Sequence, residues 1–222
     1  MSSKTVNPLS LLPKGRRFNA NQAMKRKIAS SFAADSNDFL WRVGLLKDNR
    51  PHDTTSFFAK LYVDLLMSAE CALKSLIVSL SPASETPEDA YLKIRRIGHK
   101  LDKLYEEVER RASRRLKLLT PKQRALLMEA NTIGVGYRYD ITTFFFLSRE
   151  SRLDRAFQQG PVSGILNYEF ITAFYTMLHD LRDLAGTAER KRFGQLSPLT
   201  IKQLGKVNKR EDDFFAAVGG RL

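Results

Sequence analysis

Arginine, glutamate and histidine side chains in three parts of this sequence could bind a phosphate or move a proton. The segment Gly136–Asp140 places Arg138 between Tyr137 and Tyr139. An arginine is a permanent cation that can hold a phosphate through two parallel hydrogen bonds. Arg138, with its two tyrosines, is therefore a candidate ligand for a phosphate or a nucleotide. The alternative is a structural role, with Asp140 or Glu70 as its ion-pair partner.

Glu70 and Lys74 lie one helical turn apart in a strongly apolar segment. Glu70 falls at the margin of the apolar face, where an unpaired carboxylate would be costly to bury. We therefore expect a cationic partner, and Arg138 is the first choice. The Glu70–Arg138 pair could be structural, functional or both. Glu70 and Lys74 are also candidate ligand-binding residues.

Two histidines are candidates for general acid–base catalysis, because imidazole exchanges protons near neutral pH. His99 follows a glycine and either caps a helix at the surface or serves as a general base. His179 has Asp183 one turn later, and this carboxylate could hold the imidazole in place. With three histidines, one cysteine and no close ligand spacing, the sequence predicts neither a metal site nor a bound cofactor.

Four arginines occupy successive turns of one predicted helix and could contact a phosphate backbone without reading its sequence. They are Arg110, Arg111, Arg114 and Arg115. Glutamates interspersed among them offer partners at a spacing of four residues, such as Glu106 for Arg110 and Glu107 for Arg111. A solvated face of salt bridges therefore remains an equal alternative.

Prolines and capping residues divide the chain into helices, and no segment alternates convincingly as a strand. In the second helix, a narrow stripe that includes Asp64, Ser68 and Cys71 lies opposite the apolar face. The predicted helices cover about 19–47, 55–80, 87–119, 121 towards 147, and a segment after 161. Ser197 and Pro198 begin a short last helix.

These elements predict an all-α fold, an up-and-down bundle of four to five long helices with basic extensions at both ends. Residues 1–18 form an irregular basic tail, 19–186 the bundle, and 187–222 a basic C-terminal arm with a short helix. The apolar fraction of 43% can build a core of this size.

Composition restricts the partners and the compartment. The net charge of +13 is concentrated in the N-terminal segment, one central helix and the C-terminal tail. Such concentration favours RNA or another polyanion, although a solubilising surface would have the same composition. The longest apolar run is too short for a membrane span, and no secretory signal is visible. The single cysteine, Cys71, lies in an apolar helix, so we expect a buried thiol and a cytoplasmic protein.

Three short motifs give the region from about 55 to 150 a resemblance to the HEPN superfamily of helical nucleotide- and RNA-associated domains. The first is the glutamate-containing helix with its Leu73-Lys74 pair. The second, Gly98-His99-Lys100-Leu101 with Leu104, is similar to the recurrent Gly-His-x-Leu-x-x-Leu helix start. The third is Arg138-Tyr139 near the end of a later helix.

The resemblance implies a helical bundle that forms a homodimer around a polar cleft. It also implies that active members cleave RNA without a metal, using an arginine and a histidine four to six intervening residues later. Counted from Arg138, that histidine should be at 143–145, but these residues are threonine and two phenylalanines.

We therefore expect a degenerate member that binds RNA, a nucleotide or a protein partner, in a toxin–antitoxin or phage-defence setting, rather than an enzyme. One alternative is a metal-independent endoribonuclease with Arg138 as anchor and His99 or His179 as base. Another is a purely structural helical subunit.

Overall fold

A computed structural model describes residues 11–13, 19–48, 55–114, 116–131, 168–194, 196–198 and 200–219. Helices dominate this part of the chain, which confirms the predicted all-α fold. The helices are α1 (Ala20–Asp48), α2 (Thr55–Ser79), α3 (Pro87–Ile97), α4 (Leu101–Arg111), α5 (Pro121–Asn131), α6 (Tyr168–Phe193) and α7 (Ile201–Gly219). Within these ranges, none of the helices has the length and apolarity needed to cross a membrane.

Helix α2 lies at the centre of the bundle, packed against α1, α4 and α6. Its apolar face is fully buried, as Leu65, Leu73 and Ile77 show. The polar stripe opposite is also covered, because Ser68 exchanges hydrogen bonds of 3.0 Å with Ser36 of α1. Burial of both faces makes α2 the element around which the other helices are placed.

Helix α1 runs antiparallel to both α2 and α6. Against α2, Arg42 pairs with Asp64 near the N-terminal half of that helix. Against α6, Arg26 pairs with Glu189 at 3.4 Å, whereas Lys47 at the other end of α1 lies over the ring of Tyr175. These contacts hold α1 along both α2 and α6.

The segment predicted as one helix from 87 to about 119 is two helices. Thr86 caps α3 by accepting a hydrogen bond of 3.1 Å from the Asp89 amide. Gly98 then ends it, with φ of +69°, a conformation that side-chain-bearing residues rarely adopt. Helix α4 begins at Leu101 and ends at Arg111, eight residues earlier than expected. The prediction was wrong here because apolar periodicity continues across a turn of only three residues.

Thr120 and Gln123 form a capping box at the start of α5. The Thr120 amide donates to Gln123 at 2.9 Å, and the Gln123 amide donates to the Thr120 hydroxyl at 3.3 Å. Helix α5 follows to Asn131, and the continuation predicted towards 147 lies outside the described residues.

The C-terminal helix α7 is longer than the short helix predicted, and it packs against α1 and α3. Arg210 binds Glu88 at 2.5 Å, and Phe214 contacts the edge of Tyr91 with ring centroids 5.5 Å apart. Lys27 of α1 forms an ion pair with Glu211. These contacts place α7 on the bundle.

A short antiparallel strand pair joins an N-terminal segment to the segment between α6 and α7, although the sequence predicts no strand. Strand β1 (Leu11–Pro13) pairs with β2 (Leu196–Pro198), and Leu12 lies opposite Ser197. Because β2 directly follows α6, this pair holds an N-terminal segment beside the start of α7.

Candidate functional site

The Glu70 carboxylate is buried in α2 and, among the described residues, binds the side chains of Lys74 and His99. It is 2% exposed. Lys74 Nζ donates to Oε1 at 2.6 Å, and Nδ1 of His99 lies 2.8 and 2.9 Å from the two carboxylate oxygens. A buried carboxylate needs such partners, because leaving it without them would cost several kcal/mol of desolvation. The structure therefore adds His99 to Glu70 and Lys74, which the sequence had placed one turn apart.

The turn between α3 and α4 positions His99. The positive φ of Gly98 reverses the chain after α3, and the next residue reaches back over α2 to Glu70. The His99 side chain is 48% exposed. Since Nδ1 faces the carboxylate, proton exchange with a bound molecule would use Nε2. This arrangement, a carboxylate orienting an exposed imidazole, is one that can support general acid–base chemistry.

Exposed cations surround the same turn. Arg95 and Arg96 end α3, and Lys100 follows His99 directly. All three are exposed, and none has a hydrogen-bond or ion-pair partner among the described residues. We call Arg95, Arg96 and Lys100 the cationic rim. Cations without a carboxylate partner are the ones that can accept a phosphate without first breaking a salt bridge.

The residues Tyr137, Arg138 and Tyr139 lie outside the described part of the chain, as do positions 143–145. The expected contact between Glu70 and Arg138 therefore stays a prediction. The described residues do supply Glu70 with Lys74 and His99.

The described arginines of the predicted phosphate-binding face differ in burial. The Arg111 side chain is only 2% exposed. It donates to both carboxylate oxygens of Glu85, at 2.6 and 2.7 Å, and to Glu107 at 2.5 Å. The predicted Glu107–Arg111 pair is thus present, but in the interior. The expectation that Arg111 lies on a phosphate-binding surface was wrong, because its charge is used inside the fold.

Glu107 forms ion pairs with three cationic side chains of the described structure. It is 8% exposed and contacts Lys93, Arg110 and Arg111. Burial alone would raise its pKa, but the hydrogen bonds from Arg110, Lys93 and Arg111 outweigh that effect and lower the pKa to about 2. The carboxylate is therefore ionised at neutral pH and holds α3 and α4 together.

Two of the other predicted arginines, Arg110 and Arg114, are exposed. Arg110 is exposed but binds Glu107 through two hydrogen bonds of 2.7 Å. Its predicted partner Glu106 instead binds Lys103 at 2.9 Å. Arg114 is exposed, and the side chain of Arg115 lies outside the described residues. Of this group, Arg114 is the described cation that is open to a ligand.

His179 lies on α6, where its ring meets the edge of Tyr175 at a centroid distance of 4.6 Å. Its pKa is lowered, first by burial and then by the charge of Arg182. Asp183, which was expected to hold the imidazole, accepts a hydrogen bond of 3.1 Å from Arg182. His179 is therefore a neutral, aromatic-packed side chain at pH 7 and lacks the carboxylate orientation of His99.

Sequence reasoning named both members of the Glu70–His99 pair but did not join them. It did not name Arg95, Arg96 and Lys100 as candidate site residues, because they lie in what looked like one continuous helix. The usable signal was Gly98, whose position between two amphipathic segments marks a turn.

No protein-family model, curated protein or solved structure matches this chain. Among the described residues, no group of histidine, cysteine, aspartate and glutamate side chains has a metal-binding arrangement. The interpretation of the site therefore depends on its own geometry.

Proposed function

We propose that this chain is a HEPN-like helical module that binds RNA at the turn between α3 and α4. The observation that supports this function best is the cationic rim next to the Glu70–His99 pair. The rim supplies phosphate contacts, and the oriented imidazole supplies a donor or acceptor at its centre. The HEPN assignment, the homodimer and the toxin–antitoxin or phage-defence setting belong to the same proposal and come from the sequence resemblance.

The rim favours RNA over an acidic protein because of its geometry. Arg95, Arg96 and Lys100 lie within six residues of one another, on both sides of a single turn. Evenly spaced phosphates can meet such a cluster in many registers, and each contact releases counterions. Arginine also offers the two parallel hydrogen bonds that phosphate oxygens accept well.

The test compares two variants with the same change in net charge. One carries Arg95→Ala, Arg96→Ala and Lys100→Ala. The control carries Lys202→Ala, Lys206→Ala and Lys209→Ala, which removes three exposed lysines from one face of α7. Binding of a fluorescently labelled single-stranded RNA is followed by anisotropy at several salt concentrations.

We expect the rim variant to bind at least about tenfold more weakly than wild type, with a salt slope lower by about 2, since each lost single-strand phosphate contact removes about 0.7. The control variant should keep most of the affinity. Equal losses in the two variants would mean that net charge alone attracts RNA, and would contradict a site at the rim.

A second candidate function is metal-independent RNA cleavage, and the Glu70–His99 pair is the observation that favours it. Glu70 holds one ring nitrogen, so the imidazole is oriented and half exposed beside phosphate-binding cations. Such a histidine can take the proton of a 2′-hydroxyl or return one to the leaving oxygen. In this mechanism, Arg138 anchors the phosphate.

Incubation of the protein with RNA in EDTA distinguishes these functions. Cleavage that survives EDTA and is lost in both His99→Gln and Arg138→Ala supports the nuclease, and His179→Gln is the matched histidine control. Retarded RNA without cleavage supports the binding module. Neither cleavage nor binding would leave a structural helical subunit and refute both proposals.

A further inference from the structure

A groove of about 600 Å³ lies between α1 and α6. Its size is in the range of small-molecule sites, which is roughly 300–1,000 Å³. Helix α1 contributes Asn37 and Trp41, and α6 contributes Tyr175, His179, Gly186 and Arg190. The groove is thus aromatic and polar, and it is built from residues that the proposed RNA contact does not use.

Trp41 is the only tryptophan of the chain, and 67% of it is exposed. A large aromatic side chain on the surface of a helix, beside a concave polar site, marks a position where a flat ring could stack. Tyr175 and His179 add two more rings to the same groove, in edge-to-face contact with each other. The apolar part of a ligand would therefore be an aromatic ring.

The charges of the groove leave one cation available. Asp183 is bound by Arg182 at 3.1 Å. Glu189 is bound by Arg26 at 3.4 Å and accepts a hydrogen bond from Ser30. Arg190 donates only to the hydroxyl of Thr187, at 3.2 Å, among the described residues. Its guanidinium is therefore the one in this groove whose charge no carboxylate offsets in the described structure.

Trp41 and Arg190 lie towards opposite ends of the groove, because α1 and α6 are antiparallel. Ala33 and Trp41, which both line it, are eight residues apart, or about 12 Å along the helix axis. Between the ends, Gly186 leaves the wall without a side chain; a Cβ there would lie 3.4 Å from Arg190 Nη1. The groove thus has an aromatic end, an open middle and a cationic end.

We propose that this groove binds a nucleoside monophosphate, with the base against Trp41 and the phosphate on Arg190. An aromatic ring joined through a sugar to an anion has the order of chemical groups that the groove offers. An acidic peptide would satisfy Arg190 but not the exposed indole, and a purely apolar ligand would leave Arg190 unused. This site is separate from the proposed RNA contact on α3 and α4.

The test uses adenosine 5′-monophosphate as the probe and the fluorescence of Trp41 as the signal, excited at the red edge of the indole band. We expect a saturable quench. Adenosine and inorganic phosphate, added separately, should each bind at least about tenfold more weakly, because each lacks one half of the recognition. The full chain is used throughout.

Two variants locate the ligand. Arg190→Ala should weaken binding about tenfold or more, since it removes a charge-assisted contact to phosphate. Gly186→Ala places a methyl group in the groove and should also weaken binding, while the better helix propensity of alanine keeps thermal stability at or above that of wild type. The rim variant Arg96→Ala should bind the nucleotide as wild type does.

No saturable quench at millimolar nucleotide, or equal affinity for adenosine and its monophosphate, would overturn the proposal. Unchanged affinity in Arg190→Ala would do so as well. The RNA experiment uses different residues and a different signal. A failure of the nucleotide proposal would therefore not contradict the proposed RNA site, and the reverse also holds.

Discussion

Burial decides which charged residues serve the fold and which can serve a ligand. Glu70, Glu107 and Arg111 are all nearly inaccessible and are fully engaged. On the surface, Arg95 and Lys100 have no partner within the described structure, although other exposed charges, such as Arg110, are paired. A count of charges cannot separate the two groups, so the 37 lysines and arginines overstate the number of cations that are open to a polyanion.

The role of the buried Glu70 carboxylate leads to a first prediction. Glu70→Gln should lower the free energy of unfolding by about 1–3 kcal/mol, because Lys74 and His99 lose a charged acceptor in a desolvated place. Urea unfolding measures this change. Glu106→Gln is the control, because its exposed pair with Lys103 is screened by solvent and should contribute little to stability. Equal effects of the two substitutions would contradict the structural importance of the Glu70 cluster.

The lowered pKa of Glu107 predicts acid sensitivity. Its pKa in the folded protein is about 2, against an ordinary value of 4.5. The stabilisation is therefore fully present above about pH 4.5 and is lost as the pH falls towards 2, up to about 3 kcal/mol.

Glu107→Gln removes the titrating group from this cluster. The difference in unfolding free energy between wild type and variant, measured by urea unfolding from pH 6 to about 2.5, should shrink as the pH falls. A difference that stays constant over this window would show that Glu107 has an ordinary pKa.

At the scale of elements, cations from three helices bind carbonyl groups at or just after the end of α2. Arg111 of α4 donates to Ile77 at 3.0 Å, Arg192 of α6 donates to Ser81 at 2.9 Å, and Lys25 of α1 donates to Pro82 at 2.7 Å. The last carbonyls of a helix lack internal partners and carry partial negative charge. Of these three carbonyls only that of Ile77 belongs to α2, so Arg111 caps the central helix, whereas Arg192 and Lys25 hold the residues that follow it.

The elements could be predicted from sequence to different degrees. Helix α2 and the capping box at Thr120 follow from local signals, namely apolar period and capping residues within one turn. The burial of Arg111 could not be predicted, because its spacing from Glu107 is the same on a buried face as on an exposed one. The contact of Glu70 with His99 joins residues 29 apart in sequence, and no local pattern encodes it.

At the scale of elements, the role of the turn at Gly98 can be tested by comparing alanine substitutions at Gly98 and Gly205. Gly98→Ala should destabilise the protein by about 1–3 kcal/mol, because alanine resists a φ of +69°. It should also weaken RNA binding, since the turn positions His99. In α7, Gly205→Ala adds a methyl group that meets nothing within 4 Å and should stabilise by up to about 1 kcal/mol. Thermal unfolding that gives both substitutions the same sign would contradict this account.

At the scale of the whole molecule, segments that are far apart in the sequence pack against one another. Strand β1 pairs with β2, which lies between α6 and α7, and α7 packs against α1 and α3. Composition suggested a basic arm for residues 187–222, because lysines and arginines are frequent there. The buried residues of α7, Val207, Phe214 and Val218, recur at helical spacing, so the segment also carries an apolar stripe that a charge count hides.

Two adjacent phenylalanines test whether α7 belongs to the cooperative unit. Phe214 is 4% exposed and packs on Tyr91, whereas Phe215 is 59% exposed. Phe214→Ala should cost about 3–5 kcal/mol, the usual cost of truncating a buried phenylalanine, and Phe215→Ala less than about 1 kcal/mol. Urea unfolding, followed by circular dichroism and by Trp41 fluorescence, should give one coincident transition that shifts only in Phe214→Ala. Since Trp41 lies on α1, an unchanged fluorescence transition in that variant would show that α7 unfolds independently of the bundle.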